Sequence, residues 1–288
     1  MKKKNKISAR YRLVRKMVNL YRLTITRIVK LRYRLIRRIR FKIVRLTVFA
    51  FFRLWIKEIR GIENIPIKKP AIFISNHMSY FDFLILGAML KNYVTFVASK
   101  KIKQTFFIKW FTKLHNVVYI DQDYPGYSFF RDIMRHLKAG KAIIIYPEAT
   151  RSRSGKMLMP KYGFVKLAIL ADVPIIPITM KGTYEILPPD SRIPRLKKCT
   201  VIIGKKILIS SNHHLLKNIY ASERRKNINV DQLTKNDLQK IALQIMNTIR
   251  ITAGEEWDAS AINDIKKFEK ESGLRNIKDE TGKIGLLV

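Results

Sequence analysis

Between Pro70 and Ile203 the chain alternates short apolar runs with longer segments of helical period, and this alternation restricts the fold more than any other feature. Ala71–Ser75, Tyr93–Ala98, Val117–Ile120, Ala142–Tyr146, Pro174–Met180 and Thr200–Ile203 are four to seven residues long and rich in β-branched side chains, so they read as buried strands. Between them, Tyr80–Leu90, Ile102–Leu114, Ser128–Lys138 and Tyr162–Ala171 read as helices, the third with Ser128 as N-cap and Gly140 just past its end. Parallel strands need a crossover long enough to hold a helix. The pattern therefore predicts an α/β domain over residues 59–212, a mostly parallel sheet flanked by helices.

The flanks differ from this domain. Residues 1–60 carry 21 Lys and Arg against one acid, Glu58, and contain neither Gly nor Pro, which permits long helix. Val14, Val18, Tyr21, Ile25, Ile28, Leu31, Leu35, Ile39, Ile43, Leu46 and Ala50 make ten steps over 36 residues, the α-helical period. Residues 1–58 are thus expected to form a long basic amphipathic helical arm, of one helix or two, that lies in a membrane interface with its arginines on anionic lipid phosphates. The competing reading packs the stripe on the protein's own body or on a partner helix. In residues 213–288, Thr234 and Asp237 resemble a capping signal ahead of Leu238, Ile241, Ile245 and Ile249, so a C-terminal helix is expected to pack on the domain. Beyond Gly254 the chain is polar, and a loosely held tail is expected.

Composition narrows the classes. Lys and Arg number 58 against 21 Asp and Glu, a net charge of +37, which points to an anionic partner: nucleic acid, an anionic membrane or a phosphorylated substrate. Apolar residues make up 47% of the chain, enough for a sizeable core, so wholesale disorder is excluded. The single cysteine, Cys199, excludes an internal disulfide and a paired-cysteine zinc site. No apolar run reaches ~18 residues, and no apolar core segment with a cleavage site follows the basic start, so neither a full membrane span nor a signal peptide is expected. Gly-x-Gly-x-x-Gly, Gly-x-x-x-x-Gly-Lys, Gly-x-Ser-x-Gly and His-Glu-x-x-His are all absent. Dinucleotide, P-loop, serine-hydrolase and zinc-protease chemistry lose their usual signals.

Two segments hold residues suited to chemistry. Ser75-Asn76-His77-Met78-Ser79-Tyr80-Phe81-Asp82 begins where the first strand ends and closes in the first turn of the next helix. A histidine there faces the carboxyl edge of the sheet, where open α/β folds bind ligands. A neutral imidazole is a base near pH 7, and Asp82 is close enough in the chain to fix its tautomer. The spacing alone is not specific, and a histidine next to a helix N-terminus with a favourable aspartate explains it equally well. Tyr146-Pro147-Glu148-Ala149-Thr150-Arg151-Ser152-Arg153-Ser154-Gly155 also follows an apolar strand. Its arginines, interleaved with hydroxyls, suit a phosphate. A solvated basic loop in which Glu148 pairs with an arginine is the bland alternative.

These two segments resemble the signature blocks of the glycerolipid acyltransferases, the lysophosphatidic acid (1-acylglycerol-3-phosphate) acyltransferase family, with Asn-His-x-x-x-x-Asp first and Glu-Gly-Thr-Arg-Ser later. Ala98-Ser99-Lys100-Lys101, through Phe106, Phe107 and Trp110 to Val118-Tyr119-Ile120-Asp121, is similar to the family's middle block. Val173-Pro174-Ile175-Ile176-Pro177-Ile178 is similar to its last block. The likeness covers about residues 58–210, with four blocks in order. It departs at Ala149, where the family usually has glycine, and at Gln122, where the middle block usually ends in arginine.

The resemblance implies that His77 takes the proton from an acceptor hydroxyl, that Asp82 orients His77, and that the oxygen attacks the thioester of an acyl-CoA or an acyl-carrier protein. It implies that Glu148, Thr150, Arg151, Ser152 and Arg153 position the acceptor phosphate, with Lys100 adding charge. No cofactor and no metal is expected. The expected product is phosphatidic acid from lysophosphatidic acid, at the cytoplasmic face of a membrane. Glycerol 3-phosphate or a lyso-aminolipid is the alternative acceptor, and a basic nucleic-acid-binding protein or membrane scaffold is the alternative class. No nucleic acid partner is expected, and the oligomeric state is open. His115, His136, His213, His214 and Cys199 are read as structural or surface residues.

Overall fold

The computed structural model describes residues 51–66, 69–90, 94–102, 115–121, 126–191, 193–209 and 233–272, with Thr112 and parts of 17–50. Two compact units result, Met1–Ala50 and Phe51–Val288. In the first, every described residue from Met17 to Ala50 is helical. The stripe residues Tyr21, Ile25, Ile28, Leu31, Leu35, Ile39, Ile43 and Leu46 are all open to solvent, at 41–68% exposure. Val14 and Val18 lie outside the described residues. Among the described residues no helix is long and apolar enough to cross a membrane.

Among the described residues the second unit is built on seven strands: β1 (Ile56–Arg60), β2 (Ile72–Ser75), β3 (Val94–Ser99), β4 (Asn116–Ile120), β5 (Ala142–Ile145), β6 (Ile175–Lys181) and β7 (Cys199–Ile203). They form one sheet in the order β1-β7-β6-β2-β5-β3-β4. β6, β2, β5, β3 and β4 are mutually parallel, while β7 runs antiparallel to β6 and carries β1 parallel to itself. β1 straddles residue 58, where the arm was expected to end. Its alternating charges hide it, because an edge strand faces solvent on one side and needs no continuous apolar run.

The centre of the sheet is apolar on both faces. Ile72, Ile143 and Ile175 stand in register and are all fully buried, as are their neighbours Phe73 and Ile144. Each side chain of this kind contributes roughly 1.5–3 kcal/mol when buried. Among the described residues these α-helices accompany the strands: α1 (Tyr80–Met89), α2 (Tyr127–Lys138), α3 (Gly163–Ala171), α4 (Thr183–Ile186), α5 (Lys235–Ala253) and α6 (Ala259–Ser272). α2 buries Phe129, Ile133 and Leu137, one per turn, and they join Ile72, Ile74 and Ile143 in the core. Its N-cap is Gly126 rather than Ser128, which sits inside the first turn. Gly140 follows its end at φ +74°, the left-handed stop expected there. Most of the predicted helix 102–114 lies outside the described residues.

α5 begins with the expected capping box. The Asp237 N–H donates to Thr234 Oγ1 at 3.1 Å, and the Thr234 N–H donates to Asp237 Oδ2 at 2.9 Å. Its buried face includes Leu238, Ile241, Ile245 and Ile249. The polar stretch after Gly254 departs from the loose tail expected: α6 buries Ala261, Ile265 and Phe268 in the same core. Three apolar residues at helical spacing suffice to dock a helix whose remaining faces are charged.

Candidate active site

β2 and β5 are adjacent and parallel, with Ile74 opposite Ile145. Both signature loops therefore leave the sheet side by side at one edge, which places His77 beside Tyr146. The rings stack at 4.1 Å between centroids, tilted by 24°. Asn76 extends the sheet with its side chain. Its Nδ2 donates to the Met180 carbonyl and its Oδ1 accepts from the Met180 N–H, both at 2.8 Å. The chain is thus fixed up to the residue before His77.

Asp82 sits in the first turn of α1 and is fully buried. One oxygen, Oδ2, accepts from Met78 N–H and Ser79 N–H at 2.8 Å each and lies 3.0 Å from His77 Nδ1. The carboxylate caps the helix and holds the imidazole together, so the two readings of this aspartate are one arrangement. With Nδ1 occupied, Nε2 is the nitrogen left for chemistry, and His77 lines a cavity of about 880 Å³. Phe96, Val97, Val117, Ile120, Phe164 and Leu167 are among its walls, and Tyr80, Thr150 and Arg151 share the His77 end of the lining.

Arg151 sits over Tyr80, its guanidinium carbon 3.4 Å from the ring centroid. Its Nη1 is buried and has no hydrogen-bond partner among the described residues. A buried guanidinium donor left open beside a cavity can receive an anion.

The other predicted residues divide. Glu148 is 4% exposed and does not line the cavity. Its Oε1 accepts from His77 N–H and its Oε2 from Leu158 N–H, both at 2.8 Å. It braces the His77 loop, because a buried loop needs internal acceptors for its N–H groups. Ser152 is also fully buried, and its N–H donates to the His77 carbonyl at 2.9 Å. Arg153 and Lys100 are exposed and do not line the cavity. Gln122 lies outside the described residues. His136 is half-buried, with Nδ1 3.3 Å from Thr95 Oγ1, and burial holds its pKa below the ordinary value. Cys199 is buried on β7, where burial pushes its thiol up to about 12.

Sequence reasoning missed Glu255, whose carboxyl oxygens lie 3.2 and 3.3 Å from Asn76 Nδ2. No motif announces it, because it approaches the site from the end of α5. Burial pushes Glu255 up to about 8 against its bond to Asn76, and Glu148 up to about 8 against its two backbone N–H donors. Both bind a proton more tightly folded than unfolded. Their contribution is full below the ordinary 4.5 and is lost as pH rises to about 8. The melting temperature is expected to fall between roughly pH 5 and pH 8.5. Calorimetry on Glu148→Gln should show a shallower fall; an unchanged slope would contradict the assignment.

Ala149 adopts φ +64°, the left-handed region that favours glycine. An L-residue pays about 1 kcal/mol there. Ala149→Gly is expected to raise stability by up to about 1 kcal/mol, read by urea denaturation. Loss of stability would show that the methyl group is held by compensating contacts.

A His–Asp pair at the carboxyl edge of a parallel sheet, beside an arginine and an apolar cavity, suits base-assisted group transfer. Residues 57–181 match the Acyltransferase family model. The chain is similar to chloroplastic 1-acyl-sn-glycerol-3-phosphate acyltransferases of Brassica napus, at 29% identity over 51% of this chain and 42% of that one, and of Arabidopsis thaliana, at 30% over 56% and 46%. A 1-acyl-sn-glycerol-3-phosphate acyltransferase of Saccharomyces cerevisiae is 26% identical over 72% of this chain and 63% of its own. The chain thus spans 42–63% of the length of these relatives. The crystal structure of the 1-acyl-sn-glycerophosphate (LPA) acyltransferase of Thermotoga maritima shares the fold, with a TM-score of 0.55 and 21% identity over 76% of this chain and 81% of that one.

Proposed function

We propose that the protein transfers a fatty acyl group from a thioester, an acyl-CoA or an acyl-carrier protein, to the free hydroxyl of lysophosphatidic acid, giving phosphatidic acid. The observation that carries this reading is the His77–Asp82 pair and the open Arg151 donor at one apolar cavity. His77 Nε2 takes the hydroxyl proton as the oxygen bonds to the thioester carbonyl carbon. Asp82 holds the proton on Nδ1 and stabilises the imidazolium. The tetrahedral intermediate collapses with loss of the C–S bond, and His77 returns its proton to the thiolate. Arg151 and Thr150 hold the acceptor phosphate, and the apolar walls hold an acyl chain. The names of the relatives support the acceptor, and the exposed basic arm supports a seat on an anionic bilayer.

The test uses purified protein, anionic vesicles and both thioester donors. Lysophosphatidic acid, glycerol 3-phosphate and a phosphate-free lysolipid are compared as acceptors. Transfer to lysophosphatidic acid is expected; transfer to none would reject the reading. Arg151→Ala should raise the apparent KM for lysophosphatidic acid by ~10-fold or more, the worth of a charge-assisted hydrogen bond. It should leave a phosphate-free acceptor unchanged. Equal effects on both acceptors would remove the phosphate role.

A further inference from the structure

The loop between α4 and β7 carries two of the most exposed apolar side chains in the second unit, Ile193 at 77% and Leu196 at 90%. Nothing in the proposed chemistry uses them. Arg195, Lys197 and Lys198 surround them in the sequence, and Pro188, Pro189 and Pro194 stiffen the loop. The loop is tied to the segment just before β1. Trp55 Nε1 donates to the Arg195 carbonyl at 2.9 Å, Lys198 Nζ donates to the Leu54 carbonyl, and the Cys199 N–H donates to the Trp55 carbonyl at 2.8 Å. That segment adds two more open apolar side chains, Phe51 at 54% and Leu54 at 61%, and one more cation, Arg53. Its other aromatics, Phe52 and Trp55, are buried against Phe81 of α1.

We propose that Phe51, Leu54, Ile193 and Leu196, collared by Arg53, Arg195, Lys197 and Lys198, form a second membrane seat on the catalytic unit, which inserts into an anionic bilayer independently of the arm. Apolar tips inside a ring of cations match the interface of an anionic leaflet, acyl chains below and phosphates around. The projecting tips of a Pro-stiffened loop suit a fluid surface better than a protein partner, which would need a packed complementary face. The patch also adjoins the machinery. Phe81 belongs to α1, which carries Asp82, and the N-cap Ser79 Oγ donates to the Leu187 carbonyl at the start of the same loop. Seating the loop would therefore present the His77 edge to the lipid from which a lysolipid acceptor comes. The inference goes beyond the acyl-transfer reading, and its physical readout does not require that reading to hold.

The test uses the full chain with a polarity-sensitive fluorophore on a single introduced cysteine, Leu196→Cys, Leu31→Cys in the arm or Lys267→Cys on α6. Native Cys199 is 1% exposed and is not labelled. Vesicles of phosphatidylcholine alone and with phosphatidylserine are the probes. A blue shift at positions 196 and 31, but not at 267, with anionic vesicles is expected. A shift at 31 without one at 196, or none at either, would overturn the second seat. A shift at 196 with acidic acyl-carrier protein but not with vesicles would overturn it in favour of a carrier-protein dock. As a second readout, Ile193→Ser with Leu196→Ser should lower transfer to a bilayer-held acceptor by about 10-fold and leave transfer to a monomeric short-chain acceptor unchanged. Equal loss on both acceptors would mean damage to the site instead. Absence of transfer in the unsubstituted protein would reject the acyltransferase reading and leave the fluorescence result standing.

Discussion

Replacing His77 with alanine should lower turnover by at least ~10²-fold with the fold intact, because a positioned general base contributes that much. The imidazole makes few structural contacts. It stacks on Tyr146 and meets Asp82, while the loop itself is held through the His77 backbone N–H by Glu148 and through its carbonyl by Ser152. Removing the ring therefore leaves the loop braced, and the melting temperature should change little. Single-turnover kinetics with saturating lysophosphatidic acid read the chemical step. Turnover near that of the unsubstituted protein would remove His77 from the reaction.

Asp82→Ala should combine loss of activity with loss of stability, and that combination separates it from His77→Ala. Its Oδ2 serves three donors, His77 Nδ1, Met78 N–H and Ser79 N–H, and Met78 and Ser79 are themselves buried. Truncation strands these donors and uncaps α1, at a cost of about 3 kcal/mol. Turnover should fall by ~10²-fold or more as the imidazole loses its orientation. Asp82→Asn keeps an acceptor for the backbone donors, so it should recover much of the stability but not the rate. Equal recovery of both would mean that the aspartate acts only as a helix cap.

Much of the sheet was legible in the sequence, since central strands are buried on both faces and leave short β-branched runs such as Ala142–Ile145. β1 was not, because an edge strand partnered only by β7 needs no such run. α6 was missed for a related reason: a helix docked through three apolar residues reads as polar chain. Within the site, His77, Asp82, Thr150 and Arg151 were visible as motif residues. Glu148 and Ser152 were visible too, but their roles were not, because an acid in a basic loop looks the same whether it faces substrate or backbone.

The alternating α/β plan, the two signature loops, the capping box of α5 and the helical period of the arm could be read from the chain alone. All of these depend on residues a few positions apart, within reach of local periodicity and capping. Only the tertiary structure decided the pairing of β2 with β5, which sets His77 against Tyr146. It alone turned Glu148 inward, brought Glu255 to Asn76, laid Arg151 on Tyr80 and tied Arg195 and Lys198 to Trp55 and Leu54. Each of these contacts spans tens of residues or more, and its partner is chosen by the packing of the whole sheet rather than by anything written nearby in the chain.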